Sequence, residues 1–253
     1  MRMNTDANKT KPLALITGGA KRIGAFLAEK LAAEGYDIVL HYHRSAADAQ
    51  TLAERLRGYG AQVTLRAGAL DDAASIPAIW QGLPPVSLLI NNASSYTRDT
   101  IATMQPAELQ AHVQVNMLAP ILMAQAFAAQ LPAGQQGNII LLSDSAYGWS
   151  ISPHFFSYSI SKIGLTGATD LLASALAPHI RVNTLALGPT LSGEMDSEEM
   201  FARIASRSPL MRSNDPEQVW QALSMLLTTP SLTGQVLELS SGLALRTHRP
   251  AVS

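Results

Sequence analysis

The sequence predicts an α/β fold, a doubly wound parallel sheet of about seven strands with helices on both faces. Three observations lead there. Short apolar runs recur along the chain without strict polar alternation, as strands buried on both faces do. Longer segments of helical periodicity separate these runs. The composition, 47% hydrophobic and 15% charged, suits a soluble globular protein with a sizeable core. No internal repeat or low-complexity linker interrupts the 253 residues, so 12–253 read as one domain behind a flexible tail at 1–11.

The strand candidates, in chain order, are LALIT (13–17), DIVLHY (37–42), QVTLRA (62–67), SLLINN (87–92), NIILLS (138–143), IRVNTLAL (180–187) and QVLELS (235–240). Each is an apolar run of strand length. A helix follows the first at AFLAEKLAAEG, with Gly35 as its stop, and another follows the second at ADAQTLAERLRGYG, ended by Gly58 and Gly60. Two longer helices are expected, over ELQAHVQVNMLAPILMAQAFAAQL and SYSISKIGLTGATDLLASALA.

Bulk properties exclude several classes. A net charge of −1 gives no general attraction to nucleic acid or to an anionic membrane. The absence of cysteine removes disulfides and thiolate metal sites, and fits a reducing compartment. The N-terminal MRMNTDANKTKP lacks the apolar core of a signal peptide. The most apolar stretch, MLAPILMAQAFAA, is 13 residues long and contains Pro120, too short for a membrane span. The expected location is the cytoplasm.

TGGAKRIG (17–24) directly follows the first strand and opens the first helix. Glycines in that place let backbone approach a pyrophosphate, which meets the free N–H groups of the helix N-terminus. In such a fold the residue that reads the adenosine ribose lies at the end of the second strand, about 20 residues past the loop. A carboxylate there accepts from a 2′-hydroxyl; an arginine accommodates a 2′-phosphate. Arg44 lies 20 residues past Gly24, and nothing acidic occurs from Ile38 to Ala47. Arg22, His43 and Ser45 add donors, so the expected cofactor is NADPH. His41 and His43 share a strand face but have no evident third ligand, and no metal is expected.

In YSISK, Tyr158 and Lys162 are four apart, hence on one helix face. An ammonium beside a phenol lowers its pKa, which suits Tyr158 to proton donation. Ser145 precedes Tyr158 by 13 residues, just after the fifth strand, and Asn116 lies in the long helix before it.

TGGAKRIG, NNAS, Asn116, Ser145 and Tyr158-x-x-x-Lys162 resemble, in order and over nearly the whole chain, the short-chain dehydrogenase/reductase family. The resemblance implies a Rossmann-like sheet of seven parallel strands and a homotetramer. It makes Tyr158 the catalytic acid, Lys162 its helper and a ligand of the nicotinamide ribose, Ser145 the substrate-orienting group and Asn116 the holder of a relay water. HYHRSAA, NNASSY and GPTLS are further similar to the pteridine reductases and dihydromonapterin reductases. That likeness implies a pterin substrate lined by Arg22, Ser94, Tyr96, Ser145, Tyr158 and Leu191. The cofactor set it implies is Gly18, Arg22, Ile23, Gly24, Tyr42, His43, Arg44, Ser45, Leu70, Asn91, Ala93, Ser94, Tyr158, Lys162, Pro189 and Ser192. A flat heterocycle between nicotinamide and the Tyr96 ring would gain offset stacking.

Three departures stand out. Pteridine reductases carry aspartate where this chain has Ser145; a one-residue shift would bring in Asp144, but the spacing to Tyr158 favours Ser145. Ala69 replaces the usual adenine-contacting aspartate, leaving backbone and Leu70. LELSSG replaces the usual V-D-G-G, a segment that supports the subunit interface. The leading expectation is an NADPH-dependent dihydropterin reductase. A carbonyl reductase of 3-oxoacyl thioesters or other ketones, and a non-catalytic NADP(H)-binding protein, are the alternatives. Gly193 to Asn214 is expected to cover the substrate as a lid.

Overall fold

A computed structural model describes residues 11–145, 153–192 and 197–245. Each apolar run forms a strand: β1 Leu13–Ile16, β2 Asp37–Tyr42, β3 Val63–Ala67, β4 Leu88–Asn91, β5 Gly137–Asp144, β6 Ile180–Leu187 and β7 Val236–Leu239. They make one parallel sheet in the order β3-β2-β1-β4-β5-β6-β7. The order reverses between β1 and β4, so a crevice opens beyond the carboxyl ends of these two strands.

The helices are α1 Arg22–Ala33, α2 Ala46–Gly58, α3 Ile76–Trp80, α4 Pro106–Val113, α5 Ala119–Gln130, α6 Phe156–Leu176, α7 Glu198–Ala205 and α8 Pro216–Thr228. Alternate strand residues supply two cores, because successive side chains leave a strand on opposite faces. Ala14, Ile16, Ile38, Leu40 and Ile90 pack with Leu27, Leu31, Leu52 and Leu223 of α1, α2 and α8. Leu15, Val39, Leu89, Ile139 and Leu141 pack with Ile79, Met123, Phe127 and Leu165 of α3, α5 and α6.

The helix expected over 108–131 is divided. α4 and α5 are joined by a π-helical turn, Gln114–Leu118, which places Asn116 at full burial. Gly58 is the last residue of α2 rather than its stop, and Gly60 takes the left-handed φ of 80°. α3 and α8 had no counterpart in the sequence reading; α7 falls within the segment expected to be a lid. Most of the expected tail, and the beginning of that lid at 193–196, lie outside the described residues. Lys11, assigned to the tail, donates from Nζ to the Gly60 carbonyl at 2.7 Å.

Candidate active site

The cofactor side is built from the loop between β1 and α1. Gly18 has φ +58°, and a Cβ there would lie 2.9 Å from the Ala93 Cα. A Cβ on Gly24 would meet the Gly18 oxygen at 2.5 Å, so the first turn of α1 rests directly on the loop. The segment after β4 clamps this turn. Asn92 donates from Nδ2 to the Thr17 and Gly18 carbonyls, both at 2.9 Å. Thr17 Oγ1 accepts from the Asn92 and Ala93 N–H groups at 3.0 and 3.1 Å.

His41 supplies the third brace. Its Nδ1 accepts from the Gly18 N–H at 3.2 Å, and its Nε2 faces the Gly68 carbonyl at 3.2 Å. A carbonyl only accepts and an amide only donates, so the neutral Nε2–H form satisfies both. Burial drives its pKa down to about 4, with His43 adding to the shift against the opposing Gly68 bond. His41 is thus a structural histidine of the glycine loop, a role its sequence position did not disclose.

α1 starts with no side-chain cap at Lys21 and no acidic residue in its first turn, leaving its N-terminal N–H groups for an anion. His43 and Arg44 are exposed at the end of β2, beside half-buried Tyr42 and Ser45, the residue before α2. Asp48, four residues past Arg44 along the chain, pairs with Lys21 at 3.1 Å. Arg22 goes elsewhere: with φ 55°, it donates to the Ser192 and Leu191 carbonyls at 2.8 and 3.3 Å. It therefore joins the glycine loop to the loop after β6, bringing three expected site residues together. Pro189 in that loop accepts from the Asn214 N–H at 2.7 Å. Ile23 packs on the core beneath α1, Asn91 Nδ2 reaches the Pro120 carbonyl at 3.4 Å, and Leu70 is buried among core residues. Leu70 thus leaves chiefly backbone for contact with a base.

On the chemical side, α6 carries Tyr158 and Lys162, both buried, against the end of β5. Tyr158 Oη donates to Asp144 Oδ2 at 2.7 Å. Asp144, rather than the spacing-favoured Ser145, therefore holds the phenol. Ser145 is buried next to it and donates its N–H to the Leu187 carbonyl at 2.9 Å. Lys162 Nζ donates to the Leu142 carbonyl at 3.0 Å and lies 5.9 Å from the Tyr158 ring centroid.

These contacts reverse the expected shift of Tyr158. Burial, then the charge and hydrogen bond of Asp144, push its pKa well above the ordinary phenol value, whereas burial lowers that of Lys162 to about 8 despite Asp144. Tyr158 keeps its proton, and Lys162 gives one up more readily than a free lysine.

Asn116 is engaged by its neighbours. Its Oδ1 accepts from the Ser95 N–H at 2.7 Å and the Ser94 hydroxyl at 3.2 Å; its Nδ2 donates to the Ser95 carbonyl and Ser161 Oγ at 2.9 and 3.0 Å. The Tyr96 ring stacks on Phe155 at 4.5 Å and meets Tyr158 edge-on at 4.8 Å. Arg98 lies 5.3 Å from the Phe155 ring centroid. Buried Asp99 accepts from the Ser157 N–H at 3.0 Å, fastening the start of α6. Phe155, Asp99 and His112, which holds Thr97, were not singled out from sequence. They carry no motif, and only proximity in the fold relates them to Tyr158.

Comparison with known proteins places this geometry among enzymes. A family profile described as short chain dehydrogenase matches residues 12–201. Pteridine reductase 1 of Leishmania tarentolae is 28% identical, with 93% of this chain and 97% of the relative covered. A 3-oxoacyl-[acyl-carrier-protein] reductase of Synechocystis sp. is 30% identical, covering 93% of this chain and 98% of the relative. The crystal structure of FolM alternative dihydrofolate reductase 1 from Brucella canis complexed with NADP superposes with a TM-score of 0.89. Its identity is 32%, over 96% of this chain and 97% of that one.

Proposed function

Because the chain belongs to the short-chain dehydrogenase family, we propose that it is an NADPH-dependent reductase that saturates the C=N bond of a dihydropterin. The observation that carries this reading is the Tyr158–Asp144 hydrogen bond beneath the Tyr96 ring. An ionised carboxylate accepts and does not donate, so beside a nascent alkoxide it would oppose the charge that a ketone develops. An imine nitrogen is basic enough to take the Tyr158 proton before the hydride arrives, so no anion builds up on the substrate, and the charge then left on Tyr158 is cancelled by a proton from Lys162. The pteridine reductase and FolM relatives support the same substrate class.

The residues present fit the cofactor. The uncapped start of α1 and the close-packed Gly18 and Gly24 suit a pyrophosphate. Arg44 and His43, exposed at the end of β2 with Asp48 drawn to Lys21, suit a 2′-phosphate. When bound, NADPH supplies the hydride. Tyr158 holds the proton for the substrate nitrogen, with Asp144 fixing the direction of its O–H. Lys162, its pKa lowered to about 8, is the nearby store from which that proton is replaced. Tyr96 offers an aromatic surface for a flat heterocycle, Ser94 a hydroxyl at its edge, and Arg22 fixes the Leu191–Ser192 loop opposite.

The test is NADPH oxidation with dihydrobiopterin, dihydromonapterin and a panel of ketones, with NADH in parallel. Efficient dihydropterin turnover with NADPH is expected. Turnover of ketones alone would transfer the chemistry to Ser145 and the carbonyl-reductase alternative, for which the 3-oxoacyl reductase relative is the precedent. NADPH binding without turnover of any substrate would favour a non-catalytic role.

A further inference from the structure

Between β4 and α4 the chain runs from Asn92 to Arg98 without regular secondary structure, yet it carries the Tyr96 ring. Three alternate residues fasten it to helices. Ser95 exchanges two hydrogen bonds with Asn116 of the π turn, at 2.7 and 2.9 Å. Thr97 donates its N–H to His112 Nε2 of α4 at 3.3 Å, and its hydroxyl lies 3.2 Å from the same nitrogen. Asp99 accepts from the Ser157 N–H, and its own N–H and carbonyl pair with the His154 carbonyl and the Phe156 N–H at 3.2 and 3.3 Å. The residues between these fastenings reach the aromatic cluster: Tyr96 stacks on Phe155, and Arg98 lies over the same ring.

His112 is an anchor whose tautomer is selected by its other partner. It is buried, and its Nδ1 faces the Glu108 carbonyl, one turn back along α4, at 2.9 Å. A carbonyl cannot donate, so the proton sits on Nδ1 and Nε2 is left as an acceptor aimed at Thr97. The ring is therefore oriented by its own helix before it meets the loop, as a fixed strut next to the residue that bears the aromatic surface.

We propose that His112 is a positioning residue for Tyr96: by accepting from Thr97 it sets the Tyr96 ring against Phe155 and Tyr158, and through that ring the affinity for a planar substrate. The affinity half of this statement rests on the reading of Tyr96 as the pterin-stacking side chain. Replacing His112 by Phe keeps the size and removes the acceptor. Replacing it by Gln restores an acceptor near the position of Nε2. Should His112→Phe fail to fold, His112→Leu deletes the same acceptor with a smaller side chain and leaves the backbone of Tyr96 and Thr97 unaltered.

Two readouts test the proposal. The first is the ring resonance of Tyr96 in the NADPH-loaded enzyme, labelled on tyrosine and assigned by its loss in Tyr96→Phe. It should move toward the free-tyrosine position in His112→Phe and His112→Leu and return in His112→Gln. The second is steady-state kinetics with dihydrobiopterin: KM should rise about tenfold in the first two variants, the worth of one hydrogen bond, while kcat changes little. A Tyr96 resonance unmoved by loss of the acceptor would overturn the proposal. So would an unchanged KM in His112→Phe while Tyr96→Ala raises it. If Tyr96→Ala itself leaves the dihydropterin KM unchanged, the stacking reading falls and with it the affinity half, whereas the resonance still judges the positioning.

Discussion

Tyr158 is subject to opposing demands. In the proposed reaction it must keep a proton in a buried site until the substrate nitrogen takes it, and it must point that proton in one direction. Burial and Asp144 meet the first demand by pushing its pKa up, and the 2.7 Å bond to Asp144 meets the second. Tyr158→Phe should therefore lower turnover by roughly three orders of magnitude with NADPH affinity little changed, as stopped-flow and fluorescence titration can show. Asp144→Asn and Ser145→Ala divide the two chemistries. If a C=N bond is reduced, the Asn variant should lose about 100-fold in kcat and the Ala variant less than about tenfold; the reverse order would identify a carbonyl reductase. His41 makes a separate prediction about stability. Its folded pKa, about 4, lies below the ordinary 6.5, so the unfolded chain binds the proton first as pH falls. Its penalty is absent above the ordinary value and grows as pH falls toward 4, reaching about 2 kcal/mol at pH 5. Thermal melts across this range should show that loss in the wild type and a shallower one in His41→Leu. The leucine variant should also start lower, because the Gly18 N–H loses its acceptor.

At the level of elements, sequence pattern sufficed wherever period and punctuation agree. β2 and β6 run over the residues of DIVLHY and IRVNTLAL, since both are mostly apolar without strict polar alternation and sit between turn residues. The π turn at Gln114–Leu118 was not legible, because the apolar pattern on either side is helical and the irregularity is one of backbone hydrogen bonding. Its consequence, the burial of Asn116 between Ser95 and Ser161, depends on partners 21 and 45 residues distant. The same holds for Asp144: spacing along the chain favours Ser145, and only the packing of α6 against the end of β5 shows which side chain meets Tyr158. α8 had a local signal that could have been read, with Asp215 before Pro216 and Gln218 three residues on. In the structure, Asp215 accepts from the Glu217 N–H at 2.8 Å while its own N–H donates to Gln218 at 3.0 Å. Asp215→Ala should cost about 1 kcal/mol of stability and leave the kinetics unaltered, since α8 packs against α1 and the sheet away from Tyr158. Calorimetry and steady-state assays on the same preparation would decide; a kinetic effect would mean that α8 transmits strain to the Asn214–Pro189 contact.

For the whole molecule, the unexplained surface is that of the helix bearing the proposed catalytic pair. α6 buries Tyr158, Lys162, Leu165 and Thr169 but leaves Ile160 at 40%, Ile163 at 41% and Leu171 at 73% exposure. Gly167 lies among them with open space where a Cβ would stand. Exposed apolar residues grouped on one helix, with a glycine that permits close approach, mark a surface that another chain covers. The homotetramer implied by the family resemblance is accordingly our proposal for the assembly, with α6 in one of its interfaces. Leu171→Glu places a charge on that surface about three and a half turns from Tyr158, outside the proposed catalytic cluster. It should yield a smaller species by light scattering at micromolar concentration and a lower melting temperature. Turnover per chain should fall with dissociation, because α6 would lose the packing that fixes one side of Tyr158 and Lys162, and should recover as protein concentration is raised. A wild-type chain that is monomeric under the same conditions would remove the tetramer; a variant that stays tetrameric would move the interface off α6.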